Sequence, residues 1–221
     1  MYVLHGVPDF ANLAVHVVLE ELGVPYSTDM LDIDAGDLKT PAHLARHPLG
    51  LVPVLQTPDG AIFETAAILL WLSEHHGALA PPPGSAERAA FLQWLVFTNN
   101  GLHAAAMDLI HPERMAGEAS ARAVADIAHD KLRQRLTILD RMVAGTAPSF
   151  LSADTPSVLG HYLGMLMRWI RAFPAYPDHA IPASDFPALL AVIHAHESRP
   201  AAIRAARGEG LTARFYSDPE V

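Results

Sequence analysis

HPLGLVPVL, residues 47–55, places two prolines five positions apart in a run that otherwise reads as the opening of a buried strand. Proline has no N–H for a β ladder, so within a sheet it belongs at an edge, a bulge or a first residue. A cis peptide before Pro53 is the further possibility: it turns the chain sharply and presents the Val52 backbone to a ligand. What surrounds the phrase must choose between these readings.

The 221 residues suffice for one large domain or two small ones. Hydrophobic residues make up 51% and charged residues 18%, the composition of a packed globular protein. A formal net charge of −9 argues against nucleic acid or an anionic membrane as main partner, since both select basic surfaces. The chain has no cysteine, hence no disulfide, no thiolate metal site and no cysteine nucleophile. MYVLHGVPDF carries no basic segment followed by an apolar one, and no apolar run reaches the roughly 18–20 residues a bilayer span needs. A soluble, cytoplasmic protein is expected.

The first eighty residues alternate strand and helix signals. Tyr2-Val3-Leu4 reads as a strand. Asn12 to Leu22 suits a helix buried over much of its surface, capped by Gly23 and halted by Pro25. Tyr26 to Ile33 reads as a second strand, and Pro41 to Arg46 as a short helix or turn. Val52 to Gln56 and Ala61 to Phe63 flank Thr57-Pro58-Asp59-Gly60, a hairpin signal. Glu64 to His76 is helical again and stops at Gly77. This order predicts an α/β unit over 1–78, parallel at first and closed by a hairpin.

LAPPPGSAE, 79–87, cannot be helix or inner strand and reads as a linker. Residues 88–221 read as all-helical: Glu87 to Met115, then Arg122 to Val143 with a stripe of Val124, Ile127, Leu132, Leu136, Leu139 and Val143. A nearly all-apolar central helix follows from Ser157 to Phe173, and shorter ones near Phe186 to Ser198 and Pro200 to Arg207. The fold class expected is α+β, an α/β domain followed by a helical bundle.

In that context the chain resembles the soluble glutathione transferases of bacterial type, whose N-terminal domain is thioredoxin-like and whose C-terminal domain is a helical bundle. The resemblance rests on NLAVHVVLEELGVPY (12–26), HPLGLVPVL, FETAAILLWL (63–72), the proline-rich linker and RPAAIRAARGEGL (199–211). It implies a homodimeric enzyme that conjugates glutathione to hydrophobic electrophiles between its domains. A non-catalytic binding protein, or a glutathione-dependent isomerase or thiol reductase, are the other functions this scaffold serves. Glu64 is then expected to pair with the γ-glutamyl ammonium of the tripeptide. Thr65 holds its carboxylate at a helix N-terminus, where the dipole favours an anion. Thr65 reads equally as an ordinary N-cap. With a cis Pro53, the Val52 N–H and C=O pair with the cysteinyl backbone like an added strand.

The catalytic position departs from the pattern. Relatives hold the glutathione thiolate with a Tyr, Ser or Cys at the start of the first helix, and GVPDFANLAV (6–15) contains none of them. Ala11 falls at the cysteine position. The side-chain amide of Asn12 and the backbone N–H groups from Phe10 to Asn12 are the remaining donors, with Asp9 as the natural N-cap. The family pattern also implies that His103 reaches glutathione. Phe10, Phe97 and Met107 are candidates for the hydrophobic cosubstrate pocket, and each reads also as plain core. Gly160 replaces the Asp of a capping box opened by Ser157, so the central helix is expected to start less stably by about 0.5–2 kcal/mol. No metal is expected: His75-His76 and His194-x-His196 point to different helix faces, and Asp32 and Asp34 read as a solvated edge.

Overall fold

The computed structural model describes residues 1–212 and 214–220. The chain divides into two compact units, 1–78 with Pro200–Leu211, and 79–199 with 212–221.

The first unit is built on a four-stranded sheet in the order β2-β1-β3-β4. β1 (Tyr2–Gly6) and β2 (Tyr26–Met30) pair in parallel across the crossover helix α1 (Asn12–Leu22). A short helix, α2 (Pro41–Leu44), precedes β3 (Val54–Thr57), which is antiparallel to both β1 and β4 (Gly60–Phe63). Thr57 pairs with Gly60 across Pro58-Asp59, the hairpin that Pro-Asp-Gly predicts. α3 (Thr65–His76) completes the thioredoxin-like fold, ending at Gly77 in the left-handed conformation. Leu13 to Leu19 of α1 are buried without a break, so this helix is a core element and not a surface one.

The sequence assigned all of 88–221 to the helical part. α10 (Pro200–Gly208) instead packs on α1 within the first unit. Its Ala201, Ala202, Ala205 and Ala206 are buried, and these small side chains let the two backbones approach closely. At Gly208 a Cβ would stand 3.2 Å from His16 Cε1.

The second unit holds α4 (Arg88–Phe97), α5 (Ala104–Ile110), α6 (Glu113–Ala116), α7 (Ala121–Thr146), α8 (Val158–Ala172) and α9 (Pro187–Glu197). Two sequence expectations are corrected here. The helix expected over Glu87 to Met115 is interrupted by a π-helical stretch, Thr98–His103, whose Gly101 carbonyl accepts from Arg135 of α7 at 2.7 Å. The buried stripe of α7 runs through Ala121, Ala125 and Ala128 before Leu132, Leu136, Leu139 and Val143. Ile127 is 56% exposed. Stepping back from Leu132 at the helical period lands on the alanines, and the bulkier Val124 and Ile127 lie off that face.

α8 is buried from Val158 to Ile170, as its composition predicts. The incomplete capping box at its start is completed from elsewhere. Ser157 Oγ accepts from Gly160 N–H at 2.9 Å, and the Ser157 N–H donates to His196 Nε2 of α9 at 3.2 Å. His196 Nδ1 is bonded to the Val192 carbonyl, leaving Nε2 to accept. The imidazole thus does what the missing Asp would do. A Cβ at Gly160 would lie 2.2 Å from His196 Nε2, so glycine and histidine are a matched pair.

Candidate active site

The registers of the sheet gather the candidate residues of the first unit at one edge. Val54 lies opposite both His5 and Phe63, so the C-terminal ends of β1 and β4 and the entry to β3 share that edge. The loop 7–11, the Val52-Pro53 step and the Glu64-Thr65 step all open there. α1 and α3 both start at it, so two helix N-termini face the same region with their unpaired N–H groups.

The Val52-Pro53 peptide is cis. Pro53 is buried, β3 begins one residue later, and the Val52 backbone makes no hydrogen bond among the described residues. The question posed by HPLGLVPVL is answered by an unpaired stretch at the head of an inner strand. Gly50, at φ 62°, lies in the turn before it, where a Cβ would stand 2.4 Å from the Leu38 carbonyl oxygen.

Glu64 is exposed and adopts φ 73°, ψ 116°, a conformation that non-glycine residues rarely take. Such strain costs on the order of 1–3 kcal/mol and persists where the surroundings fix it, characteristically at ligand sites. Glu64 occupies the N-cap position of α3, and its side chain makes no cap hydrogen bond. Thr65 is therefore the first helical residue and not the cap. It is 4% exposed, and its hydroxyl has no hydrogen-bond partner among the described residues.

Asn12 requires a correction. Its side chain is 0% exposed, and both polar atoms are engaged inside the unit. Oδ1 accepts from the Val7 N–H at 3.0 Å, and Nδ2 donates to Glu209 Oε1 at 3.1 Å. The amide is turned into the protein and does not present itself to a sulfur at the edge. Gly6 makes room for it: a Cβ there would lie 2.5 Å from Asn12 Cγ. Asp9 is not the N-cap either; Ala11 takes that position without a side-chain bond, and Asp9 has φ 65°. What the edge offers is backbone. Phe10 N–H is used by the Val7 carbonyl, whereas those of Ala11 and Asn12 have no partner among the described residues. Phe10 itself is 41% exposed beside them.

Glu209, which the sequence reading did not single out, is the partner that turns Asn12 inward. Its side chain is fully covered. Oε1 accepts from Asn12 and from His16 Nδ1 at 2.9 Å, and Oε2 accepts from the Asp9 N–H at 2.9 Å. The network continues outward: His16 Nε2 lies 3.0 Å from the Tyr26 hydroxyl, which donates to Glu20, itself paired with Arg204. Burial, and then the bond to Glu20, push the Tyr26 hydroxyl well above its ordinary range. The only local sign of Glu209 is an acid between two glycines, in Arg207-Gly208-Glu209-Gly210.

In the second unit, the π-helical stretch carries His103. Its Nδ1 lies 2.6 Å from the hydroxyl of Tyr162, which donates to Asn99 Oδ1 at 2.9 Å. A hydroxyl that gives its proton to Asn99 accepts from His103, so Nδ1 carries the proton and Nε2 keeps its lone pair. The ring also packs edge-on against Trp169. Although a rim of His103 remains open, desolvation by the surrounding protein lowers its pKa to about 4. It is neutral at pH 7. Phe97 is half-buried against Trp94, and Met107 is half-buried on α5. Among the described residues no group of three or more His, Asp or Glu could hold a metal ion, and no helix is long and apolar enough to cross a membrane.

The geometry defines a class: a thioredoxin-like domain followed by a helical domain. A model of the glutathione S-transferase N-terminal domain matches residues 13–75. Glutathione S-transferase 4 of Zea mays is 32% identical over 156 residues, covering 66% of this chain and 70% of that protein. Glutathione S-transferase GST-4.5 of Xanthomonas campestris is 29% identical over 173 residues, covering 75% and 81%. Among solved structures, a sphingomonad glutathione S-transferase complexed with glutathione superposes with a TM-score of 0.76 at 29% identity, over 95% of this chain and 100% of that one. The chain belongs to the glutathione S-transferase family.

Proposed function

We propose that this chain conjugates glutathione to small hydrophobic electrophiles. The observation that carries the reading is the shared edge of the first unit, where the unpaired Val52 backbone, the strained Glu64, the unbonded Thr65 hydroxyl and the start of α1 lie together. Each matches one part of the tripeptide. Val52, followed by cis Pro53, pairs with the cysteinyl backbone; Glu64 faces the γ-glutamyl ammonium; Thr65 and the α3 N-terminus hold the neighbouring carboxylate. The cysteinyl sulfur then falls to the start of α1, beside Phe10 and Ala11.

There the N–H groups of Ala11 and Asn12, with the positive end of α1, stabilise the sulfur as thiolate. The thiol gives its proton to solvent and the thiolate attacks the electrophilic carbon. A sulfur–carbon bond forms as the leaving group departs with its electron pair, or as the electrons move into the acceptor. Within the helical unit, His103 offers Nε2 as an acceptor for a ligand N–H or O–H, and Phe97 and Met107 offer apolar surface to the electrophile. The acidic charge is consistent with action in the cytoplasm on small molecules. The exposed apolar side chains of Leu49, Leu51 and Phe63 support a homodimer.

Calorimetric titration with glutathione, run beside turnover of several electrophiles, tests the proposal. Saturable binding with turnover is expected. Binding without turnover selects a non-catalytic binding protein, and no binding at millimolar glutathione contradicts both.

A further inference from the structure

Loop 7–11 is the part of the edge on which the sulfur depends. Its backbone passes through Asp9 at φ 65°, a left-handed residue that is not glycine, before reaching the two unpaired N–H groups. Something must over-determine that conformation. Val7 N–H is fixed from one side by Asn12 Oδ1, and Asp9 N–H from the other by Glu209 Oε2. Glu209 is itself held by three side-chain hydrogen bonds. The turn after α10 is closed by Leu211 N–H on the Ala206 carbonyl at 2.8 Å, with Gly210 at φ 76°.

Resting on the function proposed above, we infer that Glu209 is a positioning residue for the thiolate: reaching the loop from the far end of the chain, it sets the backbone that aims the Ala11 and Asn12 N–H groups at the sulfur. Its side chain is fully covered, so it can influence the sulfur only through the residues it bonds, of which the Asp9 N–H lies on the loop itself. Docking of α10 onto α1 explains part of the network but not all of it. The buried alanines of α10 and the bonds of Oε1 to Asn12 and His16 already fasten the helix. Oε2, by contrast, is spent on the backbone of the loop, which a helix clamp does not need.

Glu209→Gln separates the two roles. The amide keeps the shape, but whichever end carries NH₂ faces a donor, so either Asp9 or the Asn12–His16 pair loses its acceptor. We expect a roughly 10- to 100-fold loss of kcat/KM, with the kinetic pKa of the sulfur moved towards that of free thiol and glutathione affinity near wild type. Arg204→Gln, which cuts the outer Glu20 contact on the same helix, is expected to lower the melting temperature and leave the kinetic pKa unchanged. A folded Glu209→Gln enzyme with a wild-type pH profile overturns the inference and leaves the proposed function standing. Absence of turnover in the wild type overturns both. Should Glu209→Gln fail to fold, amide exchange in the wild type decides: the Asp9 N–H is expected to be protected, and rapid exchange there contradicts the assignment.

Discussion

Asn12 and Glu209 stand 197 residues apart in the chain, and the amide of one donates to the carboxylate of the other at 3.1 Å inside the first unit. Asn12 is therefore a structural partner, and its substitution should act on folding first. Asn12→Asp, nearly isosteric, sets two carboxylates against each other where neither meets water. A loss of about 3 kcal/mol or more is expected, the range for a buried polar group deprived of its partner and faced with like charge. Chemical denaturation measures it. A stability within about 0.5 kcal/mol of wild type, the range of an ordinary surface substitution, would contradict the buried pairing.

Thr65 should behave in the opposite way. Its hydroxyl caps nothing, so Thr65→Ala is expected to leave the melting temperature nearly unchanged. If the hydroxyl binds the glutathione carboxylate, affinity falls by about 1–2 kcal/mol, and Thr65→Ser restores it. Calorimetry on the three proteins reads both effects. Unchanged affinity with lowered stability would return Thr65 to a purely structural role.

The cap of α8 offers a test of matched residues. Gly160→Asp alone drives a side chain into His196, 2.2 Å from where its Cβ would be, and should destabilise by about 1–3 kcal/mol. Gly160→Asp with His196→Ala removes the clash and rebuilds a capping box with Ser157. The double variant should recover much of the loss, whereas strictly additive effects would show that the two residues do not share the site.

His103 gives a pH dependence of definite sign. Its folded pKa of about 4 lies below the ordinary histidine value of 6.5, so the native state favours the neutral ring. The stability this confers is fully present above pH 6.5 and is lost as the pH falls towards 4, because the unfolded chain takes up the proton first. Up to roughly 3 kcal/mol is involved. Burial also lowers the pKa of His5, His47, His76 and His111, which adds to the same limb. Stability measured from pH 7.5 to 4.5 should fall less steeply in His103→Gln than in wild type; equal slopes would contradict the assignment.

What the sequence disclosed was local. α1 runs from Asn12 to Leu22 as its apolar spacing and the Gly23 stop predict, the hairpin turns at Pro58-Asp59, and Ser157 caps α8. The cis Val52-Pro53 bond and the Glu64-Thr65 step came from reading short motifs in context. What escaped was set by contacts between distant parts of the chain. No window around Gly160 shows that His196 completes its cap, and none around Asn12 shows Glu209 waiting beside it. The α7 stripe was misplaced at its start because alanines carry little hydropathy signal, although it is their smallness that admits a neighbouring helix. In the π-helical turn at Thr98–His103, the Gly101 carbonyl accepts from Arg135, a partner 34 residues away.

The central claim is that a glutathione sulfur is held as thiolate by backbone N–H groups where no Tyr, Ser or Cys is available. The ultraviolet absorbance of the thiolate, followed against pH in the wild-type glutathione complex, addresses it directly. The account predicts that the bound sulfur ionises below the value of about 8.5 typical of a free thiol. A bound thiol that titrates at its free-solution value would contradict it.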